Sequence, residues 1–444
     1  MDYYHDIKFI LEIDVNEYSI EDAFNNAKDI LNWQFDENSN AIQTDGEIDY
    51  QIKDVFNLKE SAVEEIIDSF FDFGFKDVIG VPLYRFLLLK DNEKQKILSI
   101  INSLIFDYSS INDFYELFEN PEKSHPEYNQ DSYHKDIQDY LNSSDFGKDS
   151  SYWKNHIQNS NRHIKFYNIK NNRYKSQKIS PNSNSVSVFI ENHGCSLFDF
   201  YGSVFSLYLS RIDRLDGCLL KTIIPRRIDL ESFGNTTYLK IDVNNDDSFN
   251  DLIDEFNSTF KDALNHGKVD VDNYLDENVS YYSIYDFNDL NENIAIYNGE
   301  DSALTLNIYK NCLELVYNCE LFSAEYISHM AKNIESLIHN LLNSPNQEIS
   351  DVDILSDEEK SLLCDYCKGK TIEVDEDKIL SQSFREYAIK NPDNIAVDDG
   401  ISQISYGELE KSSNSIANDL QKNHEIKPGY RVGLMLLEII IFLN

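Results

Sequence analysis

Apolar residues alternate at the start of the chain. Phe9, Leu11, Ile13 and Val15 fall on one side of an extended segment and predict a strand. Ser19 stands where a helix cap belongs, with Asp22 three residues on. Phe24, Ala27, Ile30 and Leu31 then supply one apolar stripe. Val81 to Leu88 reads as a second strand, and Ile97, Leu98, Ile100 and Ile101 as a third. The period then lengthens: Ile111, Phe114, Tyr115, Leu117 and Phe118 predict a helix, followed by a polar crossover over about 119–150.

Past the crossover the pattern resumes. Val186 to Ile190 predicts a strand. Ser196 and Asp199 form a capping-box pair ahead of a strongly apolar helix carrying Leu197, Tyr201, Val204, Phe205 and Leu209. A strand over Leu219 to Ile224 follows. Phe249, Leu252, Ile253, Phe256, Phe260 and Leu264, spaced by three and four, then predict an amphipathic helix closed by Gly267. A hairpin pairs Leu304–Tyr309 with Leu313–Leu321 around Lys310 and Asn311, and a long helix over Ala324 to Leu342 ends before Pro345. Residues 344–378 are polar and acidic, interrupted by a short helix capped by Ser356 and Glu359. The alternation of helix and strand predicts a mixed α/β chain. Its expected divisions are 1–150, 151–343, a linker 344–378, and 379–444; no internal repeat is visible.

Composition narrows the function classes. The 444 residues suffice for two or three domains. With 79 acidic against 39 basic residues the formal charge is −40, which repels phosphate backbones and argues against a nucleic-acid partner. The acids are dispersed, as on a solvated surface. The acidic start, Met1 to Asp6, is unlike a signal peptide, and the apolar run Val432 to Leu443 is too short for a bilayer and contains Glu438. A cytoplasmic protein without a membrane partner is expected. Among six cysteines only Cys364 and Cys367 are suggestively spaced, and they lack a second ligand pair. Free thiols and no metal site are therefore expected.

Several short motifs then occur in one order. They are Val81-Pro82-Leu83-Tyr84-Arg85, Ser151-Tyr152-Trp153-Lys154, Gly194-Cys195-Ser196-Leu197-Phe198, Pro225-Arg226-Arg227 with Phe233-Gly234-Asn235-Thr236, and Ile354 to Lys360. Together they resemble the condensation domains of nonribosomal peptide synthetases. Phe384-Arg385-Glu386, Asn391-Pro392-Asp393 and Ser405-Tyr406-Gly407-Glu408-Leu409 resemble the opening of an adenylation, or AMP-binding, domain. The resemblance implies two chloramphenicol-acetyltransferase-like lobes forming a V, plus an incomplete N-terminal piece of an adenylation domain. It also implies a tunnel between the lobes. Peptidyl carrier proteins or downstream synthetase modules would deliver substrates there on 4′-phosphopantetheine arms, with no covalently bound cofactor.

In that family an H-H-x-x-x-D-G heptad carries the chemistry. Its place here is taken by Asn102-Ser103-Leu104-Ile105-Phe106-Asp107-Tyr108. The resemblance puts the second histidine on Ser103, its neighbour on Asn102, the structural aspartate on Asp107 and the glycine on Tyr108. Arg227 is the implied salt-bridge partner of Asp107, and Asn235 the implied tunnel residue. A serine hydroxyl does not titrate near neutral pH. The loss of general-base help is worth about 10²–10⁴ in rate. The ring of Tyr108 is expected to crowd the channel. No His-His pair occurs, and His134, His156, His193 and His266 sit in polar or turn-like contexts that suit local bonding.

Two departures add to this. The family's "S-x-A-Q-x-R-L-W" helix has no counterpart here. The adenylation resemblance stops at Asn444 without a phosphate loop, a ribose-binding acid or a late lysine. The sequence therefore predicts no ATP site and suggests a truncated or frameshifted frame. It points to a synthetase component with lost or weak condensation activity. The alternatives are a non-catalytic docking platform, a decayed fragment, or a divergent acyltransferase or epimerase.

Overall fold

A computed structural model describes residues 6–14, 20–37, 41–91, 94–108, 110–120, 139–158, 174–225, 234–269, 271–275, 281–297, 302–370 and 379–433. Val15, the Ser19 cap, most of the polar crossover and the end of the chain from residue 434 lie outside them. By internal contacts the chain divides into two units, 1–363 and 364–444.

Among the described residues the first unit holds three sheets, of five, six and two strands. Its strands are β1 (Asp6–Asp14), β2 (Trp33–Phe35), β3 (Ala41–Gln43), β4 (Gln51–Asp54), β5 (Tyr84–Lys90), β6 (Lys94–Asn102), β7 (Tyr174–Ile179), β8 (Gly217–Pro225), β9 (Gly234–Asp242), β10 (Tyr282–Asp286), β11 (Ile294–Ile296), β12 (Leu304–Ile308) and β13 (Leu313–Asn318). Five of them make the first sheet in the order β11-β1-β6-β5-β4. β1 runs antiparallel to β6 with Phe9 opposite Ser99, and β4 lies parallel to β5 at the edge. The alternation in β1 settles which face is which. Ile7, Phe9 and Leu11 enter one core with Phe24, Phe86, Phe106, Phe114 and Phe118, from the helices Ile20–Asn26 and Ile111–Glu119 and their neighbours. Ile10 turns to the opposite face, against Phe70 and Phe71 of the helix Glu60–Phe71.

β11 comes from the second half of the chain yet completes the first sheet, pairing Phe9 with Ile296. A division at 150 does not anticipate this crossing strand. The helix Ser144–Gln158 also runs across that position, and its Trp153 and Ile157 belong to the second core. Ile349 is fully buried in that same core, so the expected linker begins as part of the first unit.

The second sheet has the order β7-β13-β12-β10-β8-β9, with β10 parallel to both neighbours and the other pairs antiparallel. Four helices cover it: Ser183–His193, Leu197–Asp213, Phe249–Asn265 and Ala324–Asn343. The first of these corrects the strand expected over Val186–Ile190. Asn182 caps it through Ser185 N–H, and Gly194, at φ 67°, closes it in the left-handed region that glycine adopts without strain. Val186 and Phe189, three apart, face the core while Val188 is exposed, so helical spacing prevails over the β-branched composition. The Ser196–Asp199 capping box forms as the sequence predicts. Gly202 in the next helix lies against Phe256. A β-carbon there would come within 2.1 Å of the ring, so the close crossing of the two helices requires glycine.

Asp213 ends the helix Leu197–Asp213, where the dipole disfavours negative charge. It accepts from the Tyr282 hydroxyl at 2.9 and 3.2 Å, and burial pushes its pKa up to about 6. The unfolded chain ionises this carboxyl near 3.8. The neutral form is therefore the one the fold favours, and stability falls as pH rises from about 4 through about 6. Asp213→Asn, which keeps an acceptor for Tyr282, is expected to raise Tm at pH 7.5. That gain should vanish below pH ~4 in thermal unfolding followed by circular dichroism.

The second unit contains the helix Leu380–Lys390, a hairpin of β14 (Ile395–Asp398) and β15 (Gln403–Ser405), and the helix Tyr406–Asn423. Ser405 and Glu408 cap that last helix reciprocally. Tyr406 packs on Tyr387 at 4.6 Å. Among the described residues of this unit, Ala388 and Leu409 alone are buried apolar side chains. Cys364 and Cys367 are exposed free thiols at the end of the helix Asp357–Cys367.

Candidate functional site

β6 delivers the heptad. Its last residue, Asn102, is buried and fully engaged. Its amide N–H donates to Leu83 O at 2.9 Å, and its Nδ2 donates to Asp6 Oδ1 at 3.0 Å. Its Oδ1 accepts from Leu104 N–H at 3.1 Å, and its carbonyl from Ile105 N–H at 3.1 Å. These bonds fold Ser103, Leu104 and Ile105 into a tight turn, the use asparagine commonly serves at such a place. Asp6 in turn accepts from Phe75 N–H through its other oxygen at 3.0 Å, so the turn is anchored to two distant segments. Asn102 therefore does structural work, and Ser103 sits half-buried on the turn that it shapes.

Ile105 and Phe106 then drop into the first core, Phe106 stacking on Phe9 at 5.8 Å. Asp107 follows, buried, and its Oδ1 accepts from both the N–H and the hydroxyl of Ser110 at 2.7 Å. That pair leads the chain into the helix Ile111–Glu119. The Asp107 carboxylate thus has a defined role in the local turn. Its expected partner Arg227 lies outside the described residues. Asn235 lies on β9 opposite Ile224, with its side chain outside them as well.

Tyr108 packs at the margin of the first core, against residues that β10 and the segment after it bring there. Its ring stacks on Tyr285 of β10 at 6.0 Å and meets Phe287 at 5.7 Å. Tyr309 extends this aromatic group, 5.7 Å from Phe287. Polar bonds flank it: Asn112 Nδ2 donates to Asp289 O at 2.9 Å, Asn291 N–H to Asn112 Oδ1 at 3.0 Å, and Asn293 Nδ2 to the Tyr115 hydroxyl at 2.8 Å. The position where the resemblance calls for a glycine is thus filled by a ring that joins the two halves of the unit. Asp6, Ser110, Tyr285 and Phe287 all support the heptad, and none of them stands out in the sequence. Only Ser110, three residues after Asp107, carries a local signal.

The described histidines weighed as substitutes are each locally held. His193 bonds Phe189 O through Nδ1 at 2.8 Å and stacks on the Phe189 ring. His266 bonds Asp149 Oδ1 at 2.7 Å and stacks on Tyr152 at 4.1 Å. His156 stacks on the other side at 5.3 Å, and burial lowers its pKa. His134 lies outside the described residues. Among the described residues no group of three or more His, Cys, Asp or Glu could hold a metal, and no helix is long and apolar enough to cross a membrane. Chemically, the heptad offers a hydroxyl on a rigid turn, a carboxylate bound to its own helix and an aromatic contact.

Residues 2–280 match the condensation-domain family. A linear gramicidin synthase polypeptide from Brevibacillus parabrevis is 25% identical over 274 residues, 54% of this chain and 5% of that protein. A mycosubtilin synthase polypeptide from Bacillus subtilis is 29% identical over 218 residues, 46% of this chain and 8% of its own length. The chain thus spans less than a tenth of the length of these relatives. In fold, it is similar to the first condensation domain of the CDA synthetase, with a TM-score of 0.63 at 12% identity over 79% of this chain and 94% of that one. A four-domain nonribosomal peptide synthetase bound to AMP and glycine gives 0.70 at 17% identity, over 96% of this chain and 37% of that one. With the family match covering more than half of its length and the fold in agreement, the chain belongs to the condensation-domain family of nonribosomal peptide synthetases.

Proposed function

We propose that this chain is a synthetase component that engages peptidyl carrier proteins bearing 4′-phosphopantetheine arms and joins their substrates weakly or not at all. One observation carries the reading. The heptad keeps its framework, with Asn102 and Asp107 holding both turns, and replaces its chemistry, with Ser103 for the base and Tyr108 for the glycine. Orientation of two tethered substrates could still supply several kcal/mol toward the reaction. The absent base is worth roughly 3–5 kcal/mol of barrier. Two well-packed cores favour a folded docking platform over a decayed fragment.

Residues 379–444 are read as an N-terminal piece of an adenylation domain. The Ser405-Tyr406-Gly407-Glu408-Leu409 motif supports this, with its capping box formed, as does a likeness in fold that extends over 96% of the chain. The cytoplasmic location expected from the sequence belongs to the same reading.

The test loads one carrier protein with an acyl group and a second with an aminoacyl group, adds the chain, and follows the acceptor by intact mass. Carrier binding without dipeptidyl thioester above the enzyme-free background is the expected result. Turnover at the rate of a histidine-bearing condensation domain would end the reading of a lost base. Failure of either carrier to bind would end that of a docking platform.

A further inference from the structure

β4 is the outer strand of the first sheet, and all four of its residues are exposed. Its outer row of backbone donors and acceptors has no strand beside it among the described residues. Such an edge is a template for another strand. The helix Glu60–Phe71 lies over the same face of the sheet but is fully buried only at its end, through Phe70 and Phe71. Ala62, Val63, Ile66 and Ile67 are half-buried. The helix therefore overhangs the edge, and an open groove of about 460 Å³ runs between it and β4.

The lining of this groove is unusual for so acidic a chain. Ile66, above the buried Leu87, supplies apolar surface, and Lys53 and Arg85 face the same space with one acid, Glu65. Neither cation has an ion-pair partner among the described residues, although acids outnumber bases by 79 to 39. Arg85 is also held in place, its guanidinium 4.5 Å from the Phe73 ring and 5.2 Å from that of Phe70. Ile52, at 54% exposure, and Phe56, at 53%, continue the apolar surface along the edge.

We propose that this edge takes up an extended acidic peptide segment of a partner chain as a sixth strand beside β4, with its carboxylates on Lys53 and Arg85. Backbone pairing at a spacing of about 4.8 Å would place every second side chain of the guest under the overhanging helix. Apolar residues there would meet the half-buried Ile66, and carboxylates would meet the two cations. A second copy of this chain fits the edge less well. It would set the exposed Lys53 of each copy at the seam, like charge beside like charge. At physiological salt, charges farther than about 8 Å are largely screened, so the local pair of cations governs a short guest.

The experiment uses the full chain and a fluorescein-labelled eight-residue peptide of alternating valine and glutamate, followed by anisotropy. The expected result is saturable binding, at least tenfold weaker for a valine–lysine peptide and at least tenfold weaker for Lys53→Glu. Lys53 is exposed, so that variant keeps the fold; Arg85→Gln provides a second variant should one cation suffice. Hydrogen exchange at Gln51–Asp54 should slow when the acidic peptide is bound. Equal binding of both peptides, binding unchanged in both variants, or unprotected β4 amides would overturn the proposal. So would sedimentation showing a dimer that Ile52→Pro disperses, which would assign the edge to a second copy.

Discussion

The double substitution Ser103→His/Tyr108→Gly is expected to raise dipeptidyl-thioester formation by about 10²–10⁴ over the natural chain. The expectation rests on the state of the framework. Asn102 already sets the turn that carries position 103, through bonds to Leu104, Ile105, Leu83 and Asp6, so an imidazole placed there would be presented on a fixed backbone. Ser103→His alone is expected to give less, because the Tyr108 ring still packs on Tyr285 and Phe287 where the resemblance calls for a glycine. Tyr108→Gly alone is expected to give no rate and to lower stability by about 0.5–1.5 kcal/mol for each aromatic pair it breaks. The readout is the time course of acceptor-carrier mass with both carriers loaded. If the double variant binds carriers yet remains at the natural rate, the deficit lies elsewhere than in the base and the ring.

How far the sequence could have foretold this site depends on the separation of the partners. The alternation in β1, the Ser196–Asp199 box and the helix over Phe249–Leu264 were legible because their signals are local: a period, a cap, a spacing. The box formed by Ser248 and Asp251 is an equally local signal. The helix Ser183–His193 reads as strand in the sequence because Val186, Val188 and Ile190 dominate its composition, whereas its caps, Asn182 and Gly194, decide its conformation. The supports of the heptad are of another kind. Asn102 meets Asp6 across 96 positions, and Tyr108 meets Tyr285 and Phe287 across nearly twice as many. Such contacts have no period in the sequence. Likewise β11 is a three-residue strand whose pairing with β1 depends on the fold that brings it there. The family resemblance pointed to residues 102–108; only the fold shows that Asn102 supports a turn and that Tyr108 bridges to Tyr285 and Phe287.

Trp153→Ala is expected to lower the stability of the first unit by about 3–5 kcal/mol, a large part of what a domain of this kind possesses. Trp153 is 0% exposed and anchors the helix Ser144–Gln158 in the second core. Its indole N–H donates to His266 O at 2.9 Å, at the end of the helix Phe249–Asn265, so the substitution removes a large buried ring and a hydrogen bond together. Around it the same junction is tied by polar contacts. His266 bonds Asp149, the Tyr140 hydroxyl donates to the other oxygen of Asp149 at 2.7 Å, and Tyr152 lies flat between His266 and His156. Because those ties remain, the helix is expected to stay in place over a cavity, which is the situation in which the loss is greatest. Trp153→Phe keeps most of the apolar volume but loses the N–H, and should cost about 1–3 kcal/mol through the carbonyl left unpaired. Urea unfolding followed by circular dichroism separates the two variants. Equal and small losses would mean that this helix contributes little to the second core.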